Sequence, residues 1–563
     1  MTRTEMEERG WKELDVLLVS GDAYVDHPSF GIAVIGRVLL AEGYRVGIIA
    51  QPDCDNPENL TVMGRPRLFA GISSGNMDSM VNHYTSQGRL RSNDAYTPGG
   101  RAGVRPDRAL LRYTNCVQRV FKGLPIVLGG IEASLRRVSH YDFWSQRIKK
   151  SILLDTKAQL LVYGMGERQI VKAAEMISSG EDAAGIPGTC RAVHRKHFQP
   201  LPGDVVLPSH EDMLENPSLI LNLTRLVEKN QNPWKGARMV QPADSRMVIV
   251  EPPPVPMATD ELDRIYQLPY TRLPHPGYSE EIPAYTMIRD SVTVVRGCSG
   301  GCSFCAIGLH QGKYPVSRSM GSVLKEVRRV VDTPGFGGVV TDLGGPTANL
   351  YGLGCTSPGA MESCTRPSCL YPEICPHFST DHSAYMELLE EAEKVDGVRR
   401  VFISSGIRHD VALGDKAFVE RLAKRNISGH LRIAPEHTHD RILALMRKPG
   451  REVWLRFAEL FSSFSGGDRY IMPYIMAAFP GCTIGDMQAA RSFILGLGPL
   501  PRQVQIFLPT PMTPATAMYL TGRSYEDGEP LRIPRKPSEK QKQKEMVLGG
   551  TQKRRNRKMN TGR

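Results

Sequence analysis

Three cysteines in one short loop constrain this chain more than any other feature of its sequence. Cys298, Cys302 and Cys305 follow an apolar segment, 291–296, that is predicted to be a β-strand, and glycines among them allow the backbone to turn tightly. Three thiolates can bind three corners of an iron–sulfur cube, and the fourth iron then keeps an open position for another ligand. A zinc knuckle with three protein ligands, or a group of free thiols, is the alternative interpretation.

Alternating strand and helix patterns divide the rest of the chain. Residues 1–195 predict a doubly wound, Rossmann-like α/β domain, because short apolar runs that end in glycine alternate with amphipathic helices. Residues 196–283 are rich in proline and predict a connecting region with one or two helices. Residues 284–525 contain six strand–helix units, so we expect a partial (β/α)6 barrel whose ligands lie at the carboxyl ends of its strands.

The basic character of the chain is concentrated near its C-terminal end. The formal net charge is +12, and residues 532–563 alone contain twelve Lys and Arg against two Glu. Residues 526–563 lack apolar periodicity and predict a disordered basic tail. Such a tail can contact RNA phosphates with an affinity that falls as salt rises, or it can serve only to keep the chain in solution.

Four of the other eight cysteines form a second group. Cys355, Cys364, Cys369 and Cys375 lie in a predicted insertion, 352–378, that is rich in glycine and proline. Four thiolates in such a loop suit either a fully ligated iron–sulfur cluster or a structural zinc ion, and unliganded thiols are the remaining alternative.

The chain shows neither an apolar run long enough to span a membrane nor the apolar core of a secretory signal near its first residue. We therefore expect a cytoplasmic protein with no membrane contact. Cysteines stay reduced in the cytoplasm, and this favours metal ligation over disulfides.

Three longer motifs carry a family resemblance. The segments RGCSGGCSFCAIGLHQGKYPVSRS, TDLGGPTANLYG and LRIAPEHT resemble the YgiQ-type proteins of the radical SAM superfamily. The resemblance implies a [4Fe-4S] cluster on Cys298, Cys302 and Cys305, with S-adenosyl-L-methionine (SAM) bound to the open iron. It further implies reductive cleavage of SAM to methionine and a 5′-deoxyadenosyl radical that acts on an unidentified substrate. A non-catalytic iron–sulfur or zinc module with a redox or regulatory role is the alternative.

The same resemblance suggests residues that contact SAM, while the catalytic residues stay unassigned. Similar enzymes hold the SAM ammonium with backbone groups at the end of the second barrel strand, here Gly344 and Gly345. Pro346 stands where many relatives carry an acidic residue, and Asp342 is the candidate to replace its charge. The remaining candidates are Arg318 for the SAM carboxylate, Ser404 and Ser405 for the ribose or carboxylate, and Glu436 and His437 for proton transfer at the barrel mouth. The expected partners are SAM, the substrate and a one-electron donor such as flavodoxin or ferredoxin.

The N-terminal segments LLVSGDAYVDHPSFG, IVLGGIEAS and LLVYGMGE resemble the cobalamin-binding-like domain that precedes many radical SAM barrels. The usual Asp-x-His-x-x-Gly ligand pattern is absent, because Asp26, His27 and Gly31 have a different spacing, and Glu132 replaces a residue that is often histidine. His27 is better explained as a hydrogen-bonding residue of a loop. Cobalamin stays open as an additional cofactor, since relatives bind it without such a histidine.

Overall fold

The computed structural model describes residues 2–548. The last part of the predicted basic tail, 549–563, lies outside the described residues. Within 2–548, no helix is both long and apolar enough to cross a membrane.

The N-terminal half is built on one nine-stranded sheet with the order β2-β1-β3-β4-β7-β8-β11-β10-β9. Its first five members in this order are parallel and are joined through helices, which confirms the predicted doubly wound α/β arrangement. The strands of this half, including a small separate hairpin of β5 and β6, are β1 Val16–Ser20, β2 Val46–Ala50, β3 Phe69–Ser73, β4 Ile126–Gly129, β5 His140–Asp142, β6 Arg147–Lys149, β7 Leu160–Val162, β8 Thr189–His194, β9 Val205–Val206, β10 Met239–Ala243 and β11 Arg246–Val250.

The predicted connecting region contributes more to this sheet than its sequence suggested. Strands β10 and β11 form a tight antiparallel hairpin, and β11 pairs with β8, so the sheet continues to Val250 rather than ending near residue 195. Prolines obscured the strand pattern. Pro242 is tolerated because β9 pairs only with Met239 and Val240, so β10 is an edge strand at this position.

The second half is a partial barrel of six parallel strand positions, as predicted. Its strands, with β14 pairing antiparallel to β13 outside the barrel, are β12 Ser291–Thr293, β13 Val295–Arg296, β14 Val316–Ser317, β15 Val339–Val340, β16 Asp342–Gly344, β17 Arg400–Val401, β18 His430–Glu436, β19 Tyr470–Ala477 and β20 Val504–Ile506. Parallel pairing joins β12 to β16, β15 to β17, and β18 through β19 to β20. A single parallel bridge between Ile407 and Ile433 closes the gap between the third and fourth positions.

The α-helices cover the sheet faces and surround the barrel. In the N-terminal half and connecting region they are α1 Arg3–Glu8, α2 Gly31–Ala41, α3 Ser79–His83, α4 Ala109–Val120, α5 Gly130–Leu135, α6 Ile152–Thr156, α7 Glu167–Ser178, α8 His210–Glu215, α9 Leu219–Lys229, α10 Thr259–Tyr266 and α11 Pro283–Ile288. From the cysteine loop onward they are α12 Ile307–His310, α13 Met320–Val331, α14 Pro358–Ser363, α15 Ser383–Glu393, α16 His409–Ala412, α17 Lys416–Lys424, α18 Asp440–Met446, α19 Arg451–Ser465, α20 Ile484–Leu497, α21 Pro514–Thr521 and α22 Pro537–Val547.

A buried ion triad ties the two halves together. The backbone N–H of Arg272 donates to the Asp26 carbonyl of the N-terminal domain (2.9 Å), and the Arg272 guanidinium is paired with Glu326 on α13 of the barrel. The other oxygen of Glu326 is paired with Arg318. All three side chains are buried. Because an unpaired buried charge is costly, separating these groups would be strongly unfavourable.

The prediction of a disordered tail is wrong over part of its length, because Pro537–Val547 forms helix α22 and packs against α20, β19 and β20. The side chain of Gln543 accepts from the Ala478 N–H (2.8 Å) and donates to the Cys482 carbonyl (3.1 Å). Lys540 lies over the rings of Phe143 and Tyr519. The buried face of this helix contains two polar side chains, so hydrophobic periodicity could not reveal it.

Candidate functional site

The loop after β13 gathers the three cysteines. Cys298 donates its backbone N–H to the Gly312 carbonyl (3.1 Å), which fixes the start of the loop. A Cβ at Gly300 would lie 3.4 Å from the sulfur of Cys298 and 3.6 Å from that of Cys302, so both thiols flank this glycine. Burial, together with the Cys302 and Cys298 thiols nearby, raises the pKa of Cys305 to about 12. The predicted three-cysteine set is therefore one local cluster.

The three-cysteine cluster is compatible with an iron–sulfur cube. Thiolates of a cube each bind a different iron and are spread around the cluster. The loop places the Cys298 and Cys302 sulfurs close to Gly300, and the Cys305 thiol lies within electrostatic range of both.

Arg408 is the charged neighbour that the sequence analysis missed. Its guanidinium donates to the Cys302 sulfur (3.6 Å) and is paired with Asp410 (2.5 Å). It is nearly inaccessible to solvent, and the Asp410 carboxylate and the two thiols keep its pKa above the usual range despite burial. The signal was present in the sequence as Arg-His-Asp shortly after the third barrel strand. A fixed cation here stabilises negative charge on the sulfur.

Gly344 and Gly345 form a tight ledge beside the loop. A Cβ at Gly345 would lie 2.5 Å from the Val295 carbonyl oxygen, which is one residue before β13 ends, so only glycine fits. The carboxylate of Asp342 accepts from the backbone N–H groups of Ser404 (2.8 Å) and Ser405 (3.0 Å). Burial outweighs these bonds and raises the Asp342 pKa. Asp342 thus joins the second and third strands.

Arg318 is not placed to bind a ligand as the sequence suggested. Its guanidinium donates to the Thr293 carbonyl (2.9 Å), to the Ser322 hydroxyl and carbonyl, and to Glu326. It also stacks on the Tyr266 ring (4.1 Å). Each guanidinium nitrogen of Arg318 therefore already has a partner. The buried Glu326 carboxylate attracts the cation, and sequence patterns do not reveal such pairing.

Glu436 and His437 have different surroundings. Glu436 adopts φ +69° at the irregular end of β18, an uncommon conformation for a residue other than glycine, and burial raises its pKa. His437 is fully buried, accepts from the His439 N–H (3.0 Å) and faces the Cys482 sulfur (3.5 Å). Burial lowers its pKa to about 4, so the imidazole is neutral. Of the two, Glu436 retains the features of a proton-transfer group.

An interdomain cavity of about 520 Å³ lies between the two halves. Its N-terminal wall consists of residues at the carboxyl ends of β1, β3, β4 and β7 and of the segments that follow, among them Ile131, Gly130, Gly164 and Gly166. Its opposite wall is supplied by the barrel, with Thr293, Val295, Ile307, His310, Gly345 and Pro346. The residues that follow the cysteine loop and Gly345 therefore border the same cavity.

Few charged groups line this cavity. Arg296 is paired with Glu167 (2.5 Å) and donates to the Tyr266 hydroxyl (3.0 Å), while the second carboxylate oxygen of Glu167 is buried without a hydrogen-bond partner. His310 contacts the Ser134 hydroxyl (2.9 Å), and burial lowers its pKa to about 4. Glu167 thus offers one unused acceptor beside the cavity.

The N-terminal residues that resemble cobalamin-binding positions have structural roles. His27 is buried outside the cavity lining and accepts from the Ser29 N–H (3.0 Å), as expected of a loop residue. Glu132 accepts from the N–H (2.8 Å) and hydroxyl (2.7 Å) of Ser79. Neither side chain presents a ligand to the cavity.

The second cysteine group lies against the first loop. The Cys369 N–H donates to the Ser299 carbonyl (3.0 Å), so the two cysteine segments are directly bonded. Lys313 donates to the Cys364 sulfur (3.1 Å), and although burial opposes it, this cation lowers the pKa of the Cys364 thiol.

Comparison with known protein families gives two consecutive matches. Residues 1–291 match the family model described as Radical SAM N-terminal, and residues 292–494 match the Radical SAM superfamily. Together they cover the sheet domain, the connecting region and most of the barrel.

Comparison with individual proteins gives full-length relatives. A UPF0313 protein of Thermotoga neapolitana is 45% identical over 97% of this chain and 98% of its own length. A UPF0313 protein of Methanosarcina mazei is 43% identical over 97% of this chain and 94% of its own length.

Among solved structures, the radical S-adenosylmethionine methyltransferase TsrM from Kitasatospora setae, with cobalamin and a [4Fe-4S] cluster bound, resembles this chain with a TM-score of 0.54. The alignment covers 95% of this chain and 86% of TsrM at 16% identity. This similarity supports the arrangement of the two domains.

Proposed function

This chain belongs to the radical SAM superfamily, within the family of UPF0313 proteins, and from that membership we propose that its reaction takes place in the interdomain cavity on a small-molecule substrate. The chain is a radical SAM enzyme with a [4Fe-4S] cluster and SAM as cofactors. The observation that carries the proposal is the shared wall: the cavity is bounded by residues just after the cysteine loop, by Gly345 and by the strand ends of the N-terminal sheet.

We assign the cluster to Cys298, Cys302 and Cys305, and the SAM ammonium to backbone groups at Gly344 and Gly345. A cluster held by these cysteines would supply the single electron for reductive cleavage of SAM, and SAM would supply the radical that abstracts hydrogen from the substrate. Ser404 and Ser405 hold the neighbouring strand end through Asp342. Their remaining candidate role is contact with the ribose or carboxylate.

The chain's own residues provide the surroundings for this chemistry. Arg408 stabilises negative charge on the Cys302 sulfur. The largely apolar walls exclude water and competing hydrogen donors. The Arg296–Glu167 pair supplies one fixed polar region, where the free Glu167 oxygen can accept a hydrogen bond from substrate. A cavity of about 520 Å³ is within the usual range for small-molecule sites.

The test uses anaerobically reconstituted full-length protein with dithionite, SAM and cell extract divided by molecular mass. We expect the low-mass fraction to stimulate 5′-deoxyadenosine formation in the wild type. Ile131→Phe, which places a larger side chain in the cavity wall, should abolish the stimulation, and Ile177→Phe on α7 outside the cavity should preserve it. Cys302→Ala should form no 5′-deoxyadenosine. Stimulation by the high-mass fraction alone would overturn the small-molecule assignment.

A corrinoid is a second candidate occupant, supported by the cavity's place at the carboxyl ends of the sheet strands and by the cobalamin bound to TsrM. Glycines at the strand ends allow close approach of a flat ligand, whereas His27 and Glu132 do not offer a cobalt ligand there. A corrinoid is larger than the ligands that cavities of this size usually enclose, so the small molecule is preferred. Cobalt analysis after reconstitution with hydroxocobalamin distinguishes the two.

The proposed partners follow from the cofactor. A one-electron donor such as flavodoxin or ferredoxin would reduce the cluster, and the chemistry suits the reducing conditions of the cytoplasm. RNA contact is a weaker proposal than the charge count suggested, since Lys540 lies on the buried face of α22 and is not available to phosphates.

A further inference from the structure

We infer that Cys355, Cys364, Cys369 and Cys375 hold a second iron–sulfur cluster, ligated entirely by thiolates and seated directly against the first cysteine loop. This inference is independent of the proposed substrate and of SAM cleavage.

The insertion that carries these cysteines folds back onto the first loop. The Ser299 carbonyl accepts from the Cys369 N–H (3.0 Å), and the Gly300 carbonyl accepts from the Ser368 hydroxyl (2.8 Å). A Cβ at Gly301 would lie 2.7 Å from the Pro367 carbonyl oxygen, so the segments touch at backbone level. A centre held by the insertion would therefore be adjacent to the first cluster.

The four cysteines come from separate turns that meet in one region. Cys369 and Cys375 are joined by a backbone hydrogen bond (2.7 Å), and Cys364 caps the end of α14. Cys355 pairs with Phe378 across an isolated bridge, which joins the two ends of the insertion. The Cys369 thiol lies within electrostatic range of Cys364 and Cys375, and the Tyr314 hydroxyl lies within range of Cys355, Cys364 and Cys369.

The surroundings are suited to a negatively charged centre. The Lys313 ammonium donates to the Cys364 sulfur (3.1 Å) and to the Arg366 carbonyl. The Arg366 guanidinium donates to the carbonyls of Ser368 (3.1 Å) and Glu373 (2.8 Å) and so shapes the loop. The Lys313 carbonyl also accepts from the Ser299 hydroxyl (3.0 Å), so this residue contacts both cysteine segments.

The contact with the first loop favours a cluster over zinc. A structural zinc ion has no redox chemistry and would only cross-link its ligands. An iron–sulfur cluster at this position could exchange an electron with the adjacent first cluster. With all four irons bound to thiolates, this centre would have no open position for SAM and would serve as a one-electron carrier.

The experiment separates the two cysteine groups. The variant Cys298→Ala/Cys302→Ala/Cys305→Ala retains the insertion cysteines, Cys364→Ala/Cys369→Ala retains the loop, and Cys190→Ala, at a buried cysteine of β8, is the control. Iron, sulfide and zinc are measured after anaerobic reconstitution, with Mössbauer spectra of each protein. We expect about eight irons in the wild type and the control, and about four in each of the two group variants.

A spectroscopic readout distinguishes the clusters even where activity is lost. SAM should change the electron paramagnetic resonance spectrum of reduced Cys364→Ala/Cys369→Ala and leave that of the triple variant unchanged. A triple variant that binds zinc, or no metal, would overturn the inference. If Cys364→Ala/Cys369→Ala does not fold, the metal content of the triple variant decides whether the inference holds. Failure of the wild type to cleave SAM while holding eight irons would affect the proposed function alone.

Discussion

The Nη1 atom of Arg408 lies 3.6 Å from the Cys302 sulfur and donates to it, while Nη2 of the same guanidinium is paired with Asp410. The only charge directly bonded to a loop thiol, among the residues described, is thus itself held in place by a buried carboxylate. Hydrogen bonds and net charge near the sulfurs are among the factors that set the reduction potential of an iron–sulfur cluster.

We therefore expect opposite shifts from the two members of this pair. Arg408→Met removes a positive charge and should lower the cluster potential by roughly tens of millivolts, because the added electron loses a stabilising cation. Asp410→Asn keeps Arg408 and removes its counter-charge, so the potential should rise. Redox titration followed by electron paramagnetic resonance measures both, with Lys394→Met, at the residue directly after α15, as the control. Shifts of the same sign in both variants would contradict the argument.

Gly345 gives a steric prediction. In Gly345→Ala, the new Cβ would meet the Val295 carbonyl oxygen at 2.5 Å, so the second strand end must move away from the cysteine loop. We expect SAM affinity to fall at least about tenfold, which corresponds to about 1.4 kcal/mol. Equilibrium binding of SAM to the reconstituted protein measures this. Gly321→Ala on α13, where a Cβ meets nothing within 4 Å, should bind SAM normally.

The packing of helix α22 predicts that two truncated chains differ in thermal stability. A chain that ends at Leu548 keeps Gln543 and its bonds to the Ala478 N–H and the Cys482 carbonyl, and its melting temperature should equal that of the full chain. A chain that ends at Pro530 loses these bonds and uncovers β19 and β20, so it should melt several degrees lower. Equal melting temperatures for the two truncations would show that α22 contributes nothing.

The two truncated chains also test RNA contact. If basic residues beyond Leu548 bind phosphates, the chain that ends at Leu548 should lose RNA retention at low salt while its stability is unchanged. Filter binding at two salt concentrations measures retention. Undiminished retention would locate any RNA contact elsewhere.

Lys540 gives a prediction of pH dependence. Burial lowers its pKa to about 8, from 10.5 in the unfolded chain. The unfolded chain therefore binds more protons between these values, so the stability of the wild type rises across that window, and the cost of burying the ammonium is fully present below pH 8. The rings of Phe143 and Tyr519 offset part of this cost.

Lys540→Met should accordingly raise the melting temperature at pH 7 and raise it less at pH 10. Thermal unfolding at both values measures the difference, with the exposed Lys542→Met as the control. A gain that does not depend on pH would assign the effect to packing of methionine and not to the lost charge.

The sequence predicted the parts of this protein in which local spacing determines the outcome. The three cysteines and the two adjacent glycines each depend on neighbouring residues, and the structure keeps each of these groups together locally. The two arginines show the opposite case. Arg318 follows β14 and Arg408 follows the third barrel strand. Glu326 pairs with the Arg318 guanidinium, whereas Asp410 pairs with that of Arg408 and leaves it in contact with a thiol. Partners far apart in sequence decide this, and a single sequence does not show them.

The segment around Arg272 limits how the enzyme can exchange its substrate. Its backbone is bonded to the N-terminal domain at Asp26, and its guanidinium is buried against the Glu326 of the barrel. Rotation of one half away from the other would have to break either the backbone bonds at Asp26 or the buried Arg272–Glu326 pair, and separating the buried pair costs several kcal/mol. We therefore expect substrate and product to enter and leave through local movement of the loops at the rim of the cavity. The two halves should keep their relative orientation during catalytic turnover.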